Sequence, residues 1–275
     1  RDSRTAKLSS NSLHTFSIES ILFFRYGIAV ALLGLFLILQ KQSFRLSWKQ
    51  AGIMLILGCL YTASSVFLFE AYNYIASGLA TTLIFLYPIV VAIIMVFLRV
   101  IPSWQVWLSI VVTFVGVIIM TQSDSSQTID PIGVLLSLGS ATVYAIFIVI
   151  INRSKTIANI SSSLLTFYSL SVGAVIFMGM IIHSGAEATA GIDCASDWLN
   201  LVGLAILPTI ISTATLALAT RNIGATKASV LGVFEPITAI LVGTIVFNEA
   251  LTTNIIVGIL LAMGAITFMI ITTKR

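Results

Sequence analysis

Charged side chains are scarce in this sequence of 275 residues. They make up 9% of the chain, whereas hydrophobic residues make up 58%. Soluble domains carry about 25% charged residues, and a chain this apolar could not cover its folded surface with polar groups. The composition therefore excludes an ordinary water-soluble protein and predicts one that lies in a membrane.

Cysteine and histidine are also rare, with two residues of each type. Cys59 lies in an apolar run and Cys194 in a polar segment, so we expect no disulfide between them. His14 and His183 are far apart in the sequence, and none of the four has the spacing of metal ligands. The sequence therefore predicts no metal and no cofactor.

The net charge of +4 does not indicate nucleic-acid binding. The basic residues stand singly at the ends of apolar runs, which is the pattern of membrane topology signals. Residues 1–19 are polar and contain no apolar core of a signal peptide. Because the chain begins with arginine, we interpret Arg1 as the edge of a fragment.

Long apolar runs recur along the whole chain. Each run is about long enough to cross a hydrocarbon core of roughly 30 Å as a helix. We predict nine such spans, at residues 20–40, 50–70, 79–98, 104–121, 131–151, 162–182, 198–219, 228–247 and 253–271.

The distribution of basic residues predicts the orientation, because short cytoplasmic loops favour lysine and arginine. Alternate loops and the C-terminal end hold ten of the fourteen basic residues: Lys41, Arg45, Lys49, Arg99, Arg153, Lys155, Arg221, Lys227, Lys274 and Arg275. The other set of loops holds only Arg1, Arg4 and Lys7, all in the first segment, and its later loops carry acidic residues. We therefore expect a cytoplasmic C-terminus and an external segment over residues 1–19.

The sequence contains an internal repeat at an offset of 148 residues. This offset aligns residues 64–118 with residues 212–266 without a gap, and it pairs Pro88 with Pro236 and Gly116 with Gly264. Prolines and glycines in register are better evidence of a repeat than matched leucines. By the loop charges, the span beginning at residue 50 starts inside and its partner at residue 198 starts outside. Two inverted halves are typical of secondary transporters.

Three stretches resemble the drug/metabolite transporter superfamily in its ten-helix, EamA-type branch: FFRYGIAVALLGLF (residues 23–36), AYNYIASGLATTLIFLYPIVVAII (71–94) and ATRNIGATKASVLGVFEPITAILVGTIVFNEALT (219–252). The resemblance implies an all-α polytopic membrane protein built of two inverted five-helix repeats. Nine of the ten helices are expected in this chain, with halves at residues 1–121 and 131–275. It also implies a carrier for a metabolite, amino acid or drug in the inner or plasma membrane.

Glu235 and Pro236 lie together inside an apolar span, where a carboxylate is costly and a proline removes a backbone hydrogen bond. Eight residues of helical rise from Lys227 put Glu235 about 12 Å into the membrane. One hypothesis is that Glu235 couples transport to protons or binds a cationic group. The alternative is that a protonated Glu235 caps the Gly232 carbonyl that Pro236 leaves unpaired.

Two further features predict a polar site. Pro88 and Pro236 would break their helices at matching depths, which either frees backbone groups to bind ligands or only kinks the helices. Arg25 and Glu70 lie on the same predicted side and could pair as a gate or a clamp for an anionic group. Alternatively, each side chain reaches the external headgroups.

Hydroxyl groups deep in the spans are candidates for lining a cavity or for hydrogen bonds between helices. They belong to Tyr61, Tyr87, Tyr144, Ser212 and Thr213. Small residues recur at four-residue spacing in the fifth span, and we interpret this ridge as a close helix contact: Gly133, Ser137, Ala141 and Ala145.

The rival function classes are an intramembrane enzyme and a channel or non-transporting receptor. No HExxH, GxSG or pair of aspartates in one span is present, which argues against an enzyme. A channel or receptor stays open, because broken helices also occur in channels. The predicted partners are a small-molecule substrate and the lipid bilayer, with no nucleic acid, and a homodimer is left open.

Overall fold

The computed structural model describes residues 18–75, 77–121, 130–184, 195–232, 234, 237 and 253–272. This part of the chain is helical and contains no strand. The α-helices are α1 (Ile18–Leu39), α2 (Trp48–Ala71), α3 (Ser77–Ile84), α4 (Tyr87–Phe97), α5 (Trp104–Thr121), α6 (Pro131–Arg153), α7 (Ser162–Ser184), α8 (Ala195–Ala205), α9 (Ser212–Ile223), α10 (Ala225–Leu231) and α11 (Thr253–Thr272). A π-helical turn, Ile206–Ile211, joins α8 to α9. The prediction of an all-α fold is confirmed.

Seven helical segments of this part of the chain are long and apolar enough to cross a membrane: Ser20–Leu39, Trp48–Ala71, Leu79–Phe97, Pro131–Arg153, Ser162–His183, Trp198–Ile223 and Thr253–Thr272. A shorter apolar helix covers Trp104–Ile119. These eight segments coincide with eight of the nine predicted spans. The remaining prediction, residues 228–247, lies mostly outside the described residues.

Large apolar side chains are exposed on the outer faces of these helices. Val175 is 71% exposed and Ile182 72% exposed, and Trp48 at the start of α2 is 94% exposed. In water this surface would be costly to hydrate, whereas lipid chains solvate it well. Trp48 and Trp104 each begin a helix, and tryptophan favours the interface between lipid and water. The protein is a multi-pass membrane protein.

Two helices end at basic residues in the left-handed backbone region. Lys41 follows α1 with φ of 55°, and Arg99 follows α4 with φ of 59°. At the first, the Lys41 and Gln42 N–H groups donate to the carbonyls of Ile38 and Leu37. The same pair of backbone bonds closes α4 at Arg99, and it satisfies carbonyls that a helix end otherwise leaves free.

Contacts along the chain define two compact units, each made of two chain segments. Unit one comprises residues 1–65 and 153–218, and unit two comprises residues 66–152 and 219–275. In unit one, α1 packs against α7, α8 and the π-helical turn. In unit two, α5 packs along α11, and α10 packs against α4 and α5. The division into repeat halves at residues 1–121 and 131–275 stays a prediction.

The helix boundaries follow the 148-residue offset. Moved by that offset, α3 falls on residues 225–232, and α10 covers Ala225–Leu231. Likewise α5 falls on residues 252–269, and α11 covers Thr253–Thr272. Matching boundaries support the internal repeat. The opposite orientation of the two copies rests on the loop charges and stays a prediction.

The small-residue ridge of α6 makes a close contact within unit two. Gly133, Ser137, Ala141 and Ala145 are all buried. A Cβ atom at Gly133 would lie 2.8 Å from Ile75 Cγ2, which is closer than packed carbon atoms approach. Ile75 lies between the end of α2 and the start of α3, so Gly133 packs against a connecting segment. The interpretation of the ridge as a close contact between helices stays a prediction.

Candidate functional site

The helical segment that contains Pro88 is broken in two. α3 ends at Ile84 and α4 begins at Tyr87, so Pro88 lies in the first turn of α4. A first-turn residue has no helical acceptor for its N–H, and proline loses nothing there. The break predicted at Pro88 is therefore present, and it places two helix ends in the middle of an apolar span.

Tyr87 connects this break to the end of α10. Its hydroxyl donates to the Ser229 carbonyl at 3.0 Å, and the Gly232 N–H donates to the same carbonyl at 3.1 Å. A Cβ atom at Gly232 would collide with the Tyr87 hydroxyl. The Tyr87 ring also meets Tyr144 edge-on, with ring centroids 5.1 Å apart. Glycine at position 232 thus allows α4 and α10 to meet where α10 ends.

The π-helical turn in unit one contains Pro208. In an α-helix, residue 208 would donate its N–H to the Leu204 carbonyl, but proline has no N–H. The Thr209 hydroxyl donates to that carbonyl instead, at 2.9 Å. The wider turn and the threonine together satisfy the acceptor that Pro208 leaves open.

The Thr209 hydroxyl also binds a charged residue. Arg25 on α1 donates its Nε–H to Thr209 Oγ1. Thr209 is buried, and Arg25 is half-buried. The Leu204 carbonyl, the Thr209 hydroxyl and the Arg25 guanidinium therefore form a continuous hydrogen-bonded chain that begins at the proline-broken turn.

Next to Arg25, two tyrosines contact hydroxyls on the neighbouring helices. Tyr26 hydrogen-bonds Ser65 at 2.8 Å, and Tyr61 hydrogen-bonds Thr213 at 3.1 Å. The two tyrosine rings stack with centroids 5.8 Å apart. Together with the bonded pair of Arg25 and Thr209, these side chains form one group in unit one. We call this group the polar cluster: Arg25, Tyr26, Tyr61, Ser65, Thr209 and Thr213.

Tyr26 is fixed in place by close packing. It is 1% exposed, and the Phe177 ring meets it edge-on at 5.2 Å. A Cβ atom at Gly173 on α7 would lie 2.5 Å from the Tyr26 ring and 2.7 Å from Thr62 Oγ1. Because Arg25 is the preceding residue on the same helix, this packing also fixes the backbone from which Arg25 extends.

The polar cluster has the symmetry of the repeat. The 148-residue offset carries Tyr61 onto Thr209 and Ser65 onto Thr213. Each copy thus supplies two hydroxyls one helical turn apart. Tyr61 of the first copy bonds Thr213 of the second. The other two hydroxyls, which are equivalent to this pair, bind residues of α1 instead. Ser65 bonds Tyr26, and Thr209 accepts a bond from the preceding residue, Arg25.

The structure brings together some of the predicted site residues. Arg25, Tyr61 and Thr213 meet in unit one, whereas Tyr87, Pro88 and Tyr144 belong to unit two.

Other predicted residues lie apart from these groups. Ser212 is exposed and faces away from its neighbour Thr213, which is buried. Glu70 is exposed and accepts a hydrogen bond from Asn73. The gate predicted between Arg25 and Glu70 stays a prediction. Glu235 and Pro236 lie outside the described residues.

Sequence reasoning missed four residues of these groups, namely Tyr26, Ser65, Thr209 and Ser229. Two signals in the sequence point to Thr209. It follows a proline inside a span, and the 148-residue offset aligns it with Tyr61. Tyr26 follows Arg25 directly. Nothing in the sequence pointed to the Ser229 carbonyl, because a backbone acceptor carries no residue-type signal.

The described residues contain no group of three histidine, cysteine, aspartate or glutamate side chains that could hold a metal ion. The polar cluster instead offers a guanidinium and neutral hydroxyls. Such groups bind anionic and hydroxyl-bearing ligands by hydrogen bonds.

Comparison with known proteins gives a consistent result. A model of the EamA-like transporter family matches residues 5–122 and 131–271. The chain is 26% identical over 258 residues to an uncharacterized transporter of Archaeoglobus fulgidus, and the match covers 92% of this chain and 87% of that protein. A second uncharacterized transporter of that organism is 26% identical over 135 residues, which are 49% of this chain and 46% of that protein.

A protein of known crystal structure shares the fold. The TM-score is 0.80 at 16% sequence identity, and the match covers 94% of this chain and 90% of the other. An identity this low carries the fold alone.

Proposed function

Because the chain belongs to the EamA-like transporter family and is a membrane transporter, we propose that it is a secondary carrier that works by alternating access. It moves a small metabolite, amino acid or drug across the inner or plasma membrane. In this proposal the two repeat copies exchange conformations and open a central site to one side at a time.

One observation carries the proposal: equivalent helices of the two copies stop at equivalent places. α3 ends at Ile84, and α10 ends at Leu231 where the offset predicts residue 232. Helices that stop inside an apolar span line substrate sites in inverted-repeat carriers, because backbone groups can remain free only where they face a cavity.

The polar cluster supplies a site at a suitable depth. Tyr61 lies 13 residues after the start of α2 and 10 before its end. Thr213 lies 15 residues after the start of the span Trp198–Ile223 and 10 before its end. Both hydroxyls are therefore near the middle of their spans, where carriers of this design bind substrate.

Counterflow in proteoliposomes tests the carrier mechanism. Vesicles preloaded with an unlabelled amino acid, nucleoside or cationic drug should take up the labelled compound faster than empty vesicles do. A carrier gives this trans-stimulation because its site must reorient. A channel would instead give flux that neither saturates nor responds to preloading.

Two variants connect the transport to the cluster. Tyr61→Phe and Thr213→Val each remove one hydroxyl of the central pair, and we expect each to lower the rate of counterflow several-fold. Tyr74→Phe is the matched control, because Tyr74 is exposed near the end of α2. Equal rates in all three variants would place the substrate site elsewhere.

Proton coupling is the second part of the proposal, and Glu235 is the residue proposed to bind and release the proton. A carboxyl group at midplane depth favours its protonated form, so that it can release a proton when the site opens to water. We expect Glu235→Gln to abolish the pH dependence of uptake. Full transport with unchanged pH dependence in Glu235→Gln would remove the coupling role.

The proposed topology has its C-terminus in the cytoplasm. Residues Lys274 and Arg275 carry the positive charge expected there. A reporter that is active only in the cytoplasm, fused after Arg275, should be active, and the same reporter inserted between the fourth and fifth predicted spans should be silent. The reverse pattern would overturn the assignment.

A further inference from the structure

Arg25 is the charged side chain that lies deepest in the described spans. It follows Ser20 by five residues, about 7 Å along the helix. The other charged residues of these spans stand at helix ends: Lys49 and Glu70 each lie one residue from an end of α2, Arg153 ends α6, and Arg221 lies two residues before the end of α9. A charge held inside a span is costly and usually serves a function.

The Arg25 guanidinium is bonded on one side only. Its Nε–H is held by Thr209 Oγ1. No other described residue of unit one hydrogen-bonds the guanidinium, which leaves the four N–H bonds of its two terminal nitrogens without a partner there. Arg25 is also only half-buried, so part of its surface is accessible.

Thr209 fixes the direction of the free end. Its hydroxyl proton is committed to the Leu204 carbonyl, so its oxygen can only accept a bond from Arg25. A guanidinium is planar and rigid. Holding Nε at one point therefore orients the two terminal nitrogens as a fork with a defined direction.

A fork of two terminal nitrogens matches the two oxygens of a carboxylate, and such bidentate pairs are the strongest of the charge-assisted hydrogen bonds. A phosphate dianion would need a second cation, and the interior of the described spans holds no other lysine or arginine. We propose that Arg25, oriented by Thr209, binds the carboxylate of the transported substrate. The proposal rests on the carrier function and narrows its substrates to small monocarboxylates, including amino acids.

A matched pair of probes tests the carboxylate directly. Phenylacetate and phenylacetamide have nearly the same shape, and only the first carries a carboxylate. Binding of each to the purified protein in a neutral detergent would be measured by calorimetry or by the shift in melting temperature. We expect the wild type to prefer phenylacetate by about tenfold or more, the range of a charge-assisted hydrogen bond.

Three variants and a control locate the preference. Arg25→Gln should abolish it, and Arg25→Lys should retain part of it, because lysine keeps the charge but not the fork. Thr209→Val should weaken phenylacetate binding several-fold while phenylacetamide binding stays unchanged. Arg153→Gln removes an exposed arginine at a helix end and should change nothing. If Arg25→Gln does not fold, the lysine and valine variants still decide the question.

The preference in the wild type is the decisive quantity. Equal binding of acid and amide in the wild type, across acetate, phenylacetate and benzoate with their amides, would overturn the proposal. So would a preference that survives in folded Arg25→Gln. If added phosphatidylglycerol stabilises the protein through Arg25 and phenylacetate does not, the guanidinium serves a lipid phosphate and the proposal is wrong.

The carboxylate site and the carrier mechanism can be refuted independently. Arg25-dependent binding of phenylacetate without counterflow would refute the carrier mechanism and leave the anion subsite in place. Counterflow of a substrate that lacks a carboxylate, undiminished in Arg25→Gln, would refute the subsite and leave the carrier in place.

Discussion

Helix α2 and its counterpart in the second repeat copy differ in one respect that matters. α2 runs without interruption over Trp48–Ala71. The counterpart is divided into α8 and α9 by the π-helical turn at Ile206–Ile211. The offset places Leu60 in the first copy where Pro208 stands in the second.

The difference shows how a repeat acquires an asymmetric site. Leu60 can donate its N–H in a regular helix, whereas Pro208 leaves the Leu204 carbonyl without a backbone donor. The next residue, Thr209, satisfies that carbonyl and also binds Arg25. The proline thus makes the second copy irregular and, through Thr209, gives it the charged partner that the first copy lacks.

Exchanging the helix breaker between the two copies should give the largest effect. Leu60→Pro would remove a backbone bond of α2 and clash with the preceding turn, which costs about 3 kcal/mol or more in a helix interior. We expect a melting temperature lowered well below that of the wild type in detergent. Leu60→Ala, which also shortens the side chain, is the control. An unchanged melting temperature in Leu60→Pro would mean that α2 is not a continuous helix.

The two glycines in register should respond oppositely to alanine. A Cβ atom at Gly116 would lie 2.8 Å from the Gly258 carbonyl oxygen, whereas nothing described lies within 4 Å of one at Gly264. Gly116→Ala should force α5 and α11 apart and cost about 1–3 kcal/mol.

Gly264→Ala should be neutral or slightly stabilising, because alanine favours the helix by up to about 1 kcal/mol. Unfolding in a titration with sodium dodecyl sulfate would measure both variants. Effects of the same sign and size would show that the two copies pack alike at this position.

Giving the second copy the residue of the first should separate stability from function. Pro208→Leu restores an N–H that can donate to the Leu204 carbonyl in place of the Thr209 hydroxyl. We expect a gain in stability of about 1 kcal/mol, less than the full cost of a helix proline because the π-helical turn already accommodates it.

The same variant should reduce counterflow, because Thr209 loses the bond that orients it toward Arg25. The melting temperature and the transport rate of Pro208→Leu would be measured on the same preparation. A variant that is both more stable and fully active would mean that the turn has no part in transport.

The hydroxyl pair that joins the two copies should show the smallest effect on stability. Tyr61→Phe and Thr213→Val each remove a single hydrogen bond, which contributes about 0.5–1.5 kcal/mol. A double-mutant cycle should give a coupling energy of that order, because the two hydroxyls bond each other at 3.1 Å. Additive effects would show that they do not interact in solution.

The fold could be predicted from the sequence because the bilayer imposes it. Apolar runs of one membrane thickness can only be helices, and eight of the nine predicted spans are seen as helical segments. The break before Pro88 was predictable for a related reason, since proline cannot continue a helix. The π-helical turn was not, because proline alone does not determine whether a helix kinks, stops or widens.

The contacts of the candidate site were harder to predict. Depth along a span follows from counting residues, which is why Arg25 and Glu70 were predicted to lie on the same side. The order of the helices around one another does not follow from depth. The bond between Arg25 and Thr209 joins residues 184 apart in the chain, and only the packing of α1 against the π-helical turn creates it.

Lys41 and Arg99 limit what can be changed when this protein is engineered for stability. Each occupies a left-handed backbone position where glycine would relieve roughly 1 kcal/mol of strain. In the proposed topology each also contributes a positive charge to a cytoplasmic loop, and such charges favour that direction of membrane insertion. Glycine at either position would stabilise the helix end but weaken the topology signal. Selection for thermal stability alone would therefore favour variants that insert in the opposite orientation.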